Sequence, residues 1–563
     1  MRVDDDASAS APEATSALAG ATGKVLRWPN VAEHLGVLLL GLLVLGVHDV
    51  GYLLRAPFWT DEAWVAVTTR FPLSQLPATT SSTPIGWSAL LRLFPAGGAQ
   101  TSRLLPLAFA GAAVMIAYWF ARRLGWRWPA ASVAAGLLAA IGVLLMPAML
   151  VRNDLKQYTA DAATALLTLA LTSQLEREWS RRRLAVLSVA IWGGMLFSHT
   201  VTFVGIAAFA AVCVVQLARR AWRRLIEAAV AGAGTAVLML GVYVVFDARA
   251  VVPGLTAYWS GYYLPAARGL HASATFVTAR FDAVHGYFGL GPAWLAVPLV
   301  IAGLVTIFRL GRPATAVAIA LLWPLMLTLS ALRKYPFLDL RTSTFLLAVT
   351  VAVAAIGVAG VCSLLRSWLR GRVCGAGGGV RGAGGGVRGV RGVREVVAGL
   401  VAAALAAGAV AGFAVGAWPR VRSHEIPRED VRDQARYVAS HAAPADVIVV
   451  NLNSNWGFAY YWRRGQPARR PDAAVLQGYE AYFPGQPRIV VARNRDAAGV
   501  DAALAQALRL AGPQSCARIW LVRAHVNSSE KAAWAAALRG HRLSSQWVGH
   551  GGLRVVRTGG RGC

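Results

Sequence analysis

The chain has 563 residues, of which 56% are hydrophobic and only 15% are charged, and its formal net charge is +29. This composition excludes an ordinary soluble enzyme and is typical of a membrane protein. The excess of basic residues does not indicate nucleic-acid binding, because most clustered arginines lie in short loops between apolar segments.

Apolar segments long enough to cross a bilayer recur along the chain, since a spanning helix needs about 20 apolar residues. The sequence therefore predicts a mainly α fold, a polytopic transmembrane helix bundle with about eleven spans. The predicted spans cover residues 35–54, 104–121, 129–150, 160–175, 184–199, 201–218, 225–246, 292–308, 314–331, 343–365 and 397–417. We interpret the first span as a retained anchor, because it is too long for the apolar part of a signal peptide.

Basic residues set the predicted orientation, because short loops rich in Lys and Arg stay on the cytoplasmic side. Such loops occur at residues 121–128, 175–183, 218–224 and 309–313. With an odd number of spans, the C-terminal segment then lies outside. The predicted organisation is a cytoplasmic tail over 1–34, a transmembrane domain with outer-face loops over 35–370, a cytoplasmic Gly/Arg-rich linker over 371–396, a last helix over 397–417 and an extracytoplasmic domain over 418–563.

The first outer loop, residues 55–103, contains the stretch FWTDEAWVA with two adjacent acids, Asp61 and Glu62. An ionisable group near the hydrocarbon boundary costs up to roughly 3 kcal/mol, so we expect a function for Asp61 in particular. The alternative is that both carboxylates are solvated loop residues.

The second outer loop, VRNDLKQYTAD, leads into the fourth span. If this loop continues as a helix, Asp154, Tyr158 and Asp161 share one face and Lys156 lies on a neighbouring stripe. Such a helix end presents acids, a phenol and a cation together. Farther along, His199 lies in a tight turn between two spans, where it is either a satisfied polar residue or a catalytic group.

The last outer loop, residues 332–342, contains RKYPFLDLR, with Lys334, Tyr335 and Arg341. Basic residues on the outside oppose the usual inward bias, so we expect something negative to hold them there. Phospholipid headgroups and pairing with Asp339 are the alternatives to a bound substrate. The Tyr-Pro pair favours an ordered loop, because proline restricts its own backbone and that of the preceding residue.

The segment after residue 418 alternates short β-branched runs with helix-like stretches, a pattern that predicts a small α/β domain. The predicted strands lie within 445–450, 487–493, 517–524 and 552–558, and the predicted helices within 428–442, 497–511 and 528–539. Two cysteines of this domain, Cys516 and Cys563, suggest a disulfide in an oxidising compartment, although sequence alone does not show that they are close.

Three motifs in order along the chain, TDEAW, RNDLKQYTAD and RKYPFLDLRTSTFLLA, together resemble the polytopic GT-C glycosyltransferases. The most similar members are bacterial relatives of the dolichyl-phosphate-mannose protein mannosyltransferases and the lipid A aminoarabinose transferases. The resemblance covers roughly residues 30 to 365. It implies an inverting hexosyl- or pentosyltransferase that takes a sugar from a polyprenyl-phosphate donor on the outer face and transfers it to an unknown glycan, lipid or protein acceptor.

The same resemblance implies roles for individual residues. Asp61 would be the general base that takes the acceptor's proton, with Glu62 as the next catalytic candidate. Cations would hold the leaving phosphate, because its charge develops during transfer. The implied substrate-binding residues are Asp154, Lys156, Tyr158, Lys334, Tyr335 and Arg341.

Other interpretations of the protein's function remain open at this point. No Cys or His spacing resembles a metal site, but the resemblance leaves a divalent metal cofactor undecided. A transporter would show helices broken in corresponding positions of two repeats, and no such repeat is evident. A non-catalytic scaffold or sensor would use the C-terminal domain for binding and would not need the ordered acid and base clusters.

Overall fold

The computed structural model of the protein describes residues 28–80, 83–94, 100–147, 155–248, 257–288, 293–375, 404, 407–408, 411–422, 430–472, 475, 477–512 and 516–558. Within these ranges the chain forms a bundle of long apolar helices and a C-terminal unit built on a five-stranded sheet. This architecture confirms the predicted fold class.

The helices up to residue 375 include long members of the bundle and short members of the first outer loop. In chain order they are α1 (Trp28–Val47), α2 (Val50–Arg55), α3 (Thr60–Val67), α4 (Leu76–Thr79), α5 (Ile85–Leu91), α6 (Leu104–Arg122), α7 (Pro129–Leu144), α8 (Tyr158–Arg177), α9 (Arg181–Gly194), α10 (Val201–Ala218), α11 (Trp222–Val242), α12 (Leu270–Phe288), α13 (Ala293–Arg309), α14 (Pro313–Ala331) and α15 (Thr344–Gly375). A further helix covers 411–421, at the end of the last predicted span.

The long helices coincide with the predicted spans to within a few residues at most boundaries. Five segments of the described residues are long and apolar enough to cross a membrane: Thr101–Arg122, Val201–Ala218, Trp222–Asp247, Pro313–Ala331 and Thr344–Ser367. Three shorter apolar helices are Val31–Val47, Pro129–Leu144 and Ala296–Arg309. The prediction of a multi-pass membrane protein is therefore confirmed.

Small residues allow α13 and α15 to pack at close range. A Cβ added at Gly303 would lie 2.1 Å from the carbonyl oxygen of Val353, and one added at Gly357 would lie 2.1 Å from that of Leu299. Neither position has room for a side chain, so these glycines fix the distance between the two helices, as small residues do in membrane helix pairs. Helix α15 leads directly out of the last predicted outer loop.

One helix was not predicted from the sequence, in residues 247–291 between the predicted spans 225–246 and 292–308. Helix α12 lies inside that range. Its aromatic residues pack against the bundle: Phe281 stacks on Trp323 with ring centroids 5.3 Å apart, and Phe276 lies 6.4 Å from Phe337. These contacts come from distant parts of the chain, so the local sequence gives little sign of them.

The C-terminal unit contains helices on both sides of a mixed sheet. Its strands are β1 (Val447–Val450), β2 (Ala468–Pro471), β3 (Tyr479–Tyr482), β4 (Ile489–Val491), β5 (Arg518–Val522), β6 (Ser545–Trp547) and β7 (Arg554–Arg557), and its helices are α16 (Val431–His441), α17 (Asn455–Tyr461), α18 (Ala497–Ala511) and α19 (Ser528–Gly540). The sheet order is β4-β1-β5-β7-β6, with β1 parallel to β4 and β5, whereas β7 is antiparallel to β5 and β6.

All four predicted strands correspond to β1, β4, β5 and β7, and the three predicted helices correspond to α16, α18 and α19. Strand β6, helix α17 and the hairpin of β2 and β3 were not predicted from the sequence. Cys516 is disulfide-bonded, while Cys563, its predicted partner, lies outside the described residues.

The C-terminal unit shares a hydrophobic core with the first outer loop. Phe58, Trp64 and Trp87 from the loop belong to the same buried cluster as Trp456 and Trp520 from the unit. Burial of aromatic side chains is among the largest apolar contributions to packing. The unit is therefore packed against the first predicted outer loop through a continuous core.

Hydrogen bonds of Arg70 and Tyr461 also cross this interface. The Arg70 guanidinium donates to the carbonyl oxygens of Ala459 at 2.5 Å, Tyr460 at 3.0 Å, Trp462 at 2.7 Å and Gly465 at 3.0 Å. These carbonyls lie at and just beyond the C-terminal end of α17, where backbone acceptors lack partners within the helix. Separately, the Tyr461 hydroxyl accepts from the backbone N–H of Phe58 at 2.8 Å and lies 3.1 Å from Gln100 Nε2.

We predict that Arg70→Ala weakens the attachment of the C-terminal unit, because it leaves four carbonyl groups without their charged donor. The expected loss is about 1–3 kcal/mol, the usual scale for hydrogen bonds to a charged group. The measurements are thermal unfolding in detergent and the rate of limited proteolysis. Arg436→Ala, which removes an exposed arginine of α16, is the control, and equal effects of the two changes would contradict the prediction.

Candidate functional site

A cavity of about 1110 Å³ lies where the outer loops, the bundle and the C-terminal unit meet. Its size and its mixture of apolar and convergent polar side chains are typical of a binding site for an organic ligand. The first, second and last predicted outer loops all contribute residues to its lining, as do α10 and α11. Loops that are far apart in the sequence therefore meet at one cavity.

Asp61 lies in the first turn of α3, a helix that begins after Trp59. Its side chain is 23% exposed and lines the cavity. Arg341 donates from Nη1 to Asp61 Oδ2 at 2.5 Å, so residues from the first and the last outer loop form a direct ion pair. Arg341 Nη2 is also 3.4 Å from the Tyr258 hydroxyl.

The electrostatic surroundings keep Asp61 ionised. Burial by itself raises the pKa of a carboxyl group, but nearby Lys156 and Arg341 outweigh that effect, so the pKa of Asp61 lies below its ordinary value. At neutral pH the side chain is a carboxylate, the form that accepts a proton. While Arg341 holds it, however, its basicity is reduced.

The loop that presents Arg341 is ordered by its own hydrogen bonds. The Asp339 carboxylate accepts from the backbone N–H of Arg341 at 3.2 Å and of Thr342 at 3.0 Å. The Tyr335 hydroxyl donates to the carbonyl of Thr342 at 2.8 Å, and its ring meets Phe203 edge-on at 4.9 Å. Asp339 therefore supports the loop backbone, and the Arg341 guanidinium is directed to Asp61.

Glu62, predicted as a catalytic residue beside Asp61, does not line the cavity. It is fully buried and forms a two-point ion pair with Arg103, whose Nε and Nη2 donate to its carboxylate oxygens at 2.8 and 2.6 Å. The same guanidinium donates to the carbonyl oxygens of Leu53, Ala56 and Pro57 at 2.5 to 2.9 Å. Through these contacts Glu62 anchors the first turn of α3 to Arg103. The Glu62 carboxylate therefore does not reach a ligand in the cavity.

Several cations line the cavity together with Arg341. Lys156 is only 9% exposed, and its ammonium group lies 5.0 Å from the centre of the Trp64 ring. Arg333 and Lys334 are exposed and contribute from the start of the last loop. The structure thus brings together Lys156, Lys334 and Arg341, which the sequence analysis assigned to substrate binding.

Among the other predicted residues, Tyr158 and Tyr335 also line the cavity. Asp154 lies outside the described residues. Helix α8 begins at Tyr158, so Lys156 lies in the turn before the helix.

A second polar cluster lies on the bundle side of the cavity. Ser198 donates to Asp161 Oδ1 at 2.6 Å, and His199 Nδ1 is 3.5 Å from Asp247 Oδ2. Asp247 was missed, because it ends the π-helical turn Tyr243–Asp247 directly after an apolar span. The sequence left two interpretations of His199, a satisfied polar residue or a catalytic group. In the structure it has an acidic partner, Asp247, and lines the cavity.

The C-terminal unit supplies the remaining polar wall, which the sequence analysis missed entirely. Its residues are Asn453, Gln477, Arg495 and His525. They come from separate loops of the unit, and no local motif marks them. Within the described ranges, no group of three or more His, Cys, Asp and Glu side chains is arranged to hold a metal ion.

No protein-family model and no curated protein matches the chain. Among solved structures, the chain is similar to ArnT from Cupriavidus metallidurans bound to undecaprenyl phosphate, with 15% identity and a TM-score of 0.49 over 92% of this chain and 97% of that chain. It is also similar to the archaeal oligosaccharyltransferase AglB from Archaeoglobus fulgidus in complex with an inhibitory peptide and a dolichol-phosphate, with 12% identity and a TM-score of 0.46 over 88% and 70% of the two chains. ArnT is a lipid A aminoarabinose transferase. Both neighbours have the fold of the GT-C glycosyltransferases, the family that the sequence motifs resemble.

We predict that adjacent substitutions at Glu62 and Asp61 have very different effects on stability. Glu62→Gln leaves the buried Arg103 charge without its partner, which typically costs about 3–5 kcal/mol. Asp61→Asn breaks a partly exposed pair and should cost about 1 kcal/mol or less. Thermal unfolding of the two variants in detergent tests this, and equal destabilisation would show that the two carboxylates have similar structural roles.

Proposed function

We propose that the protein is a membrane glycosyltransferase that transfers a sugar from a polyprenyl-phosphate donor to an acceptor at the extracytoplasmic face. The observation that supports this most directly is the Asp61–Arg341 pair, which sits in a cavity lined by further cations. A carboxylate can take a proton from an attacking hydroxyl. Cations in the same place can bind the phosphate that leaves.

The cavity also has a side that suits the lipid part of such a donor. Ile206 of α10 and Leu240 of α11 line it, and both are exposed, at 49% and 60%. These helices are among those apolar enough to cross a membrane. A polyprenyl chain lying along them would remain in an apolar environment while its phosphate reaches the cations of the last loop.

Arg341 is suited to the donor phosphate, because a planar guanidinium can donate two parallel hydrogen bonds to phosphate oxygens. Lys334 and Lys156 would add charge from two sides. When phosphate competes for the guanidinium, the Asp61 carboxylate is released to act as a base. The Arg341 guanidinium would therefore bind the leaving phosphate, while Asp61 accepts the proton of the attacking hydroxyl.

A single displacement with one base inverts the configuration at the anomeric carbon, and we propose this outcome for the protein. The acceptor oxygen forms a bond to the anomeric carbon as the bond to phosphate breaks, and Asp61 takes the proton. This site would be extracytoplasmic, since the basic loops predict a cytoplasmic position for the opposite end of the bundle. The C-terminal unit, which lines the same cavity, would then be extracytoplasmic as well.

The direct test is an assay of the purified protein for release of polyprenyl phosphate from a panel of polyprenyl-phosphate sugars. Release from at least one donor is expected, with the transferred sugar in the opposite anomeric configuration. Absence of release from every donor, with a membrane lysate as the source of acceptors, would count against the function.

We predict that Asp61→Asn loses transfer activity by a factor of about 100 to 10,000, the usual contribution of a general base. Donor binding should be at least as strong as in the unmodified protein, because the amide keeps the shape of the side chain and no longer competes as a charged partner for Arg341. The measurements are initial transfer rates and equilibrium binding of polyprenyl phosphate. Full activity in this variant would end the assignment of Asp61 as the base.

We predict that Arg341→Lys weakens transfer at limiting donor by about tenfold, because it keeps the charge and removes the planar fork. Arg341→Ala should have a larger effect, since it removes both. Arg312→Lys, at the start of α14 and outside the cavity lining, is the matched control. If both Arg341 variants keep normal kinetics, the phosphate binds elsewhere.

A further inference from the structure

The polar wall formed by the C-terminal unit has no role in the donor chemistry described above. Two of its residues, Asn453 and Gln477, are 4% and 6% exposed, yet both line the cavity. Burying a polar group is unfavourable unless it has a hydrogen-bonding partner. A wall of such groups facing a cavity therefore suits a polar ligand better than a lipid tail.

Asn453 connects two other members of the wall, His525 and Arg495. Its Nδ2 donates to the carbonyl oxygen of His525 at 2.9 Å, and its Oδ1 accepts from Arg495 Nη2 at 2.6 Å. His525 has a φ of +52°, a left-handed conformation that is uncommon for a residue other than glycine. Unfavourable backbone conformations of this kind are often found where a structure holds a ligand.

The wall lies next to the proposed base. The His525 ring meets Trp59 edge-on with centroids 6.4 Å apart, and Trp59 is two residues before Asp61. Among the neighbours that lower the pKa of Asp61 against the opposing effect of burial, His525 contributes less than Lys156 and Arg341. Asp61 thus has the last outer loop as one neighbour and the C-terminal wall as another.

We propose that Asn453, Arg495 and His525 form the acceptor subsite, and that the acceptor presents an anionic group, a phosphate or a carboxylate, near the hydroxyl that receives the sugar. This inference rests on the proposed function. The acceptor oxygen bonds to the anomeric carbon, the bond from that carbon to the donor phosphate oxygen breaks, and the hydroxyl proton passes to Asp61. Lys334 and Arg341 hold the leaving phosphate, so the acceptor requires a different set of residues around Asp61.

Arg495 is the reason for expecting an anion. Its guanidinium is oriented by Asn453 through a single nitrogen, and a planar fork of this kind is well suited to a carboxylate or phosphate. The donor's lipid chain is assigned to the apolar side formed by α10 and α11. The acceptor then reaches Asp61 along the polar side, which belongs to the C-terminal unit.

The test measures binding of three related probes, glycerol phosphate, glycerate and glycerol, by calorimetry on the full-length protein in detergent with saturating undecaprenyl phosphate. At least one anionic probe is expected to bind about tenfold or more tightly than glycerol, the scale of a charge-assisted hydrogen bond. Arg495→Ala should remove this preference. Arg539→Ala, which changes an exposed arginine of α19 outside the cavity lining, should keep it.

The probes distinguish the two kinds of anion: preference for glycerol phosphate indicates a phosphate acceptor, and preference for glycerate indicates a carboxylate. Equal binding of all three probes, or a preference that survives Arg495→Ala in a variant with unchanged thermal unfolding, overturns the inference. Binding of the anionic probes only in a parallel titration without undecaprenyl phosphate also overturns it, because the anion would then lie in the donor site. Failure of the proposed function is seen separately, as absence of polyprenyl phosphate release from any donor by the unmodified protein.

Discussion

The buried ion pair between Glu62 and Arg103 is the constraint on which the geometry of the site depends. Two charges without water are stable only when paired and fully hydrogen-bonded, and Arg103 meets that condition with Glu62 and three backbone carbonyls. Those carbonyls belong to the segment just before α3, so one side chain fixes both the start of the helix and its rotation. With Glu62 directed inward, Asp61 is directed into the cavity, where Arg341 reaches it.

The packing of the first outer loop also explains why the C-terminal unit takes part in the site. Aromatic residues of this loop, such as Phe58 and Trp64, belong to the same buried cluster as residues of the sheet. Arg70 and Tyr461 then add hydrogen bonds across the same boundary. A unit held this firmly can position Asn453 and His525 relative to Asp61 as precisely as the bundle positions Arg341.

Sequence patterns were sufficient where structure depends on local periodicity. The apolar spans and the four β-branched strands were predicted because composition over a few residues decides them. The polar hairpin of β2 and β3 has no such pattern and was missed.

Neighbouring residues of a helix point about 100° apart, so the sequence could identify Asp61 and Glu62 as a pair but could not say which one faces a ligand. Arg103 decides that, from 41 positions along the chain. The wall of the C-terminal unit depends on still more distant contacts, and the sequence contains no local sign of it.

The hydrogen bond from the Phe58 backbone to the Tyr461 hydroxyl joins residues separated by 403 positions. Contacts of such long range form late in folding, because closing a long loop costs entropy that local contacts do not. During synthesis, the helices of the bundle are also made well before Tyr461, which contacts the first outer loop, has left the ribosome. A prematurely ended chain would have membrane helices and the Asp61 carboxylate, but it would lack the core that holds the loop around it. Because Tyr461 follows the bundle helices in the sequence, assembly of the site depends on synthesis of the C-terminal unit.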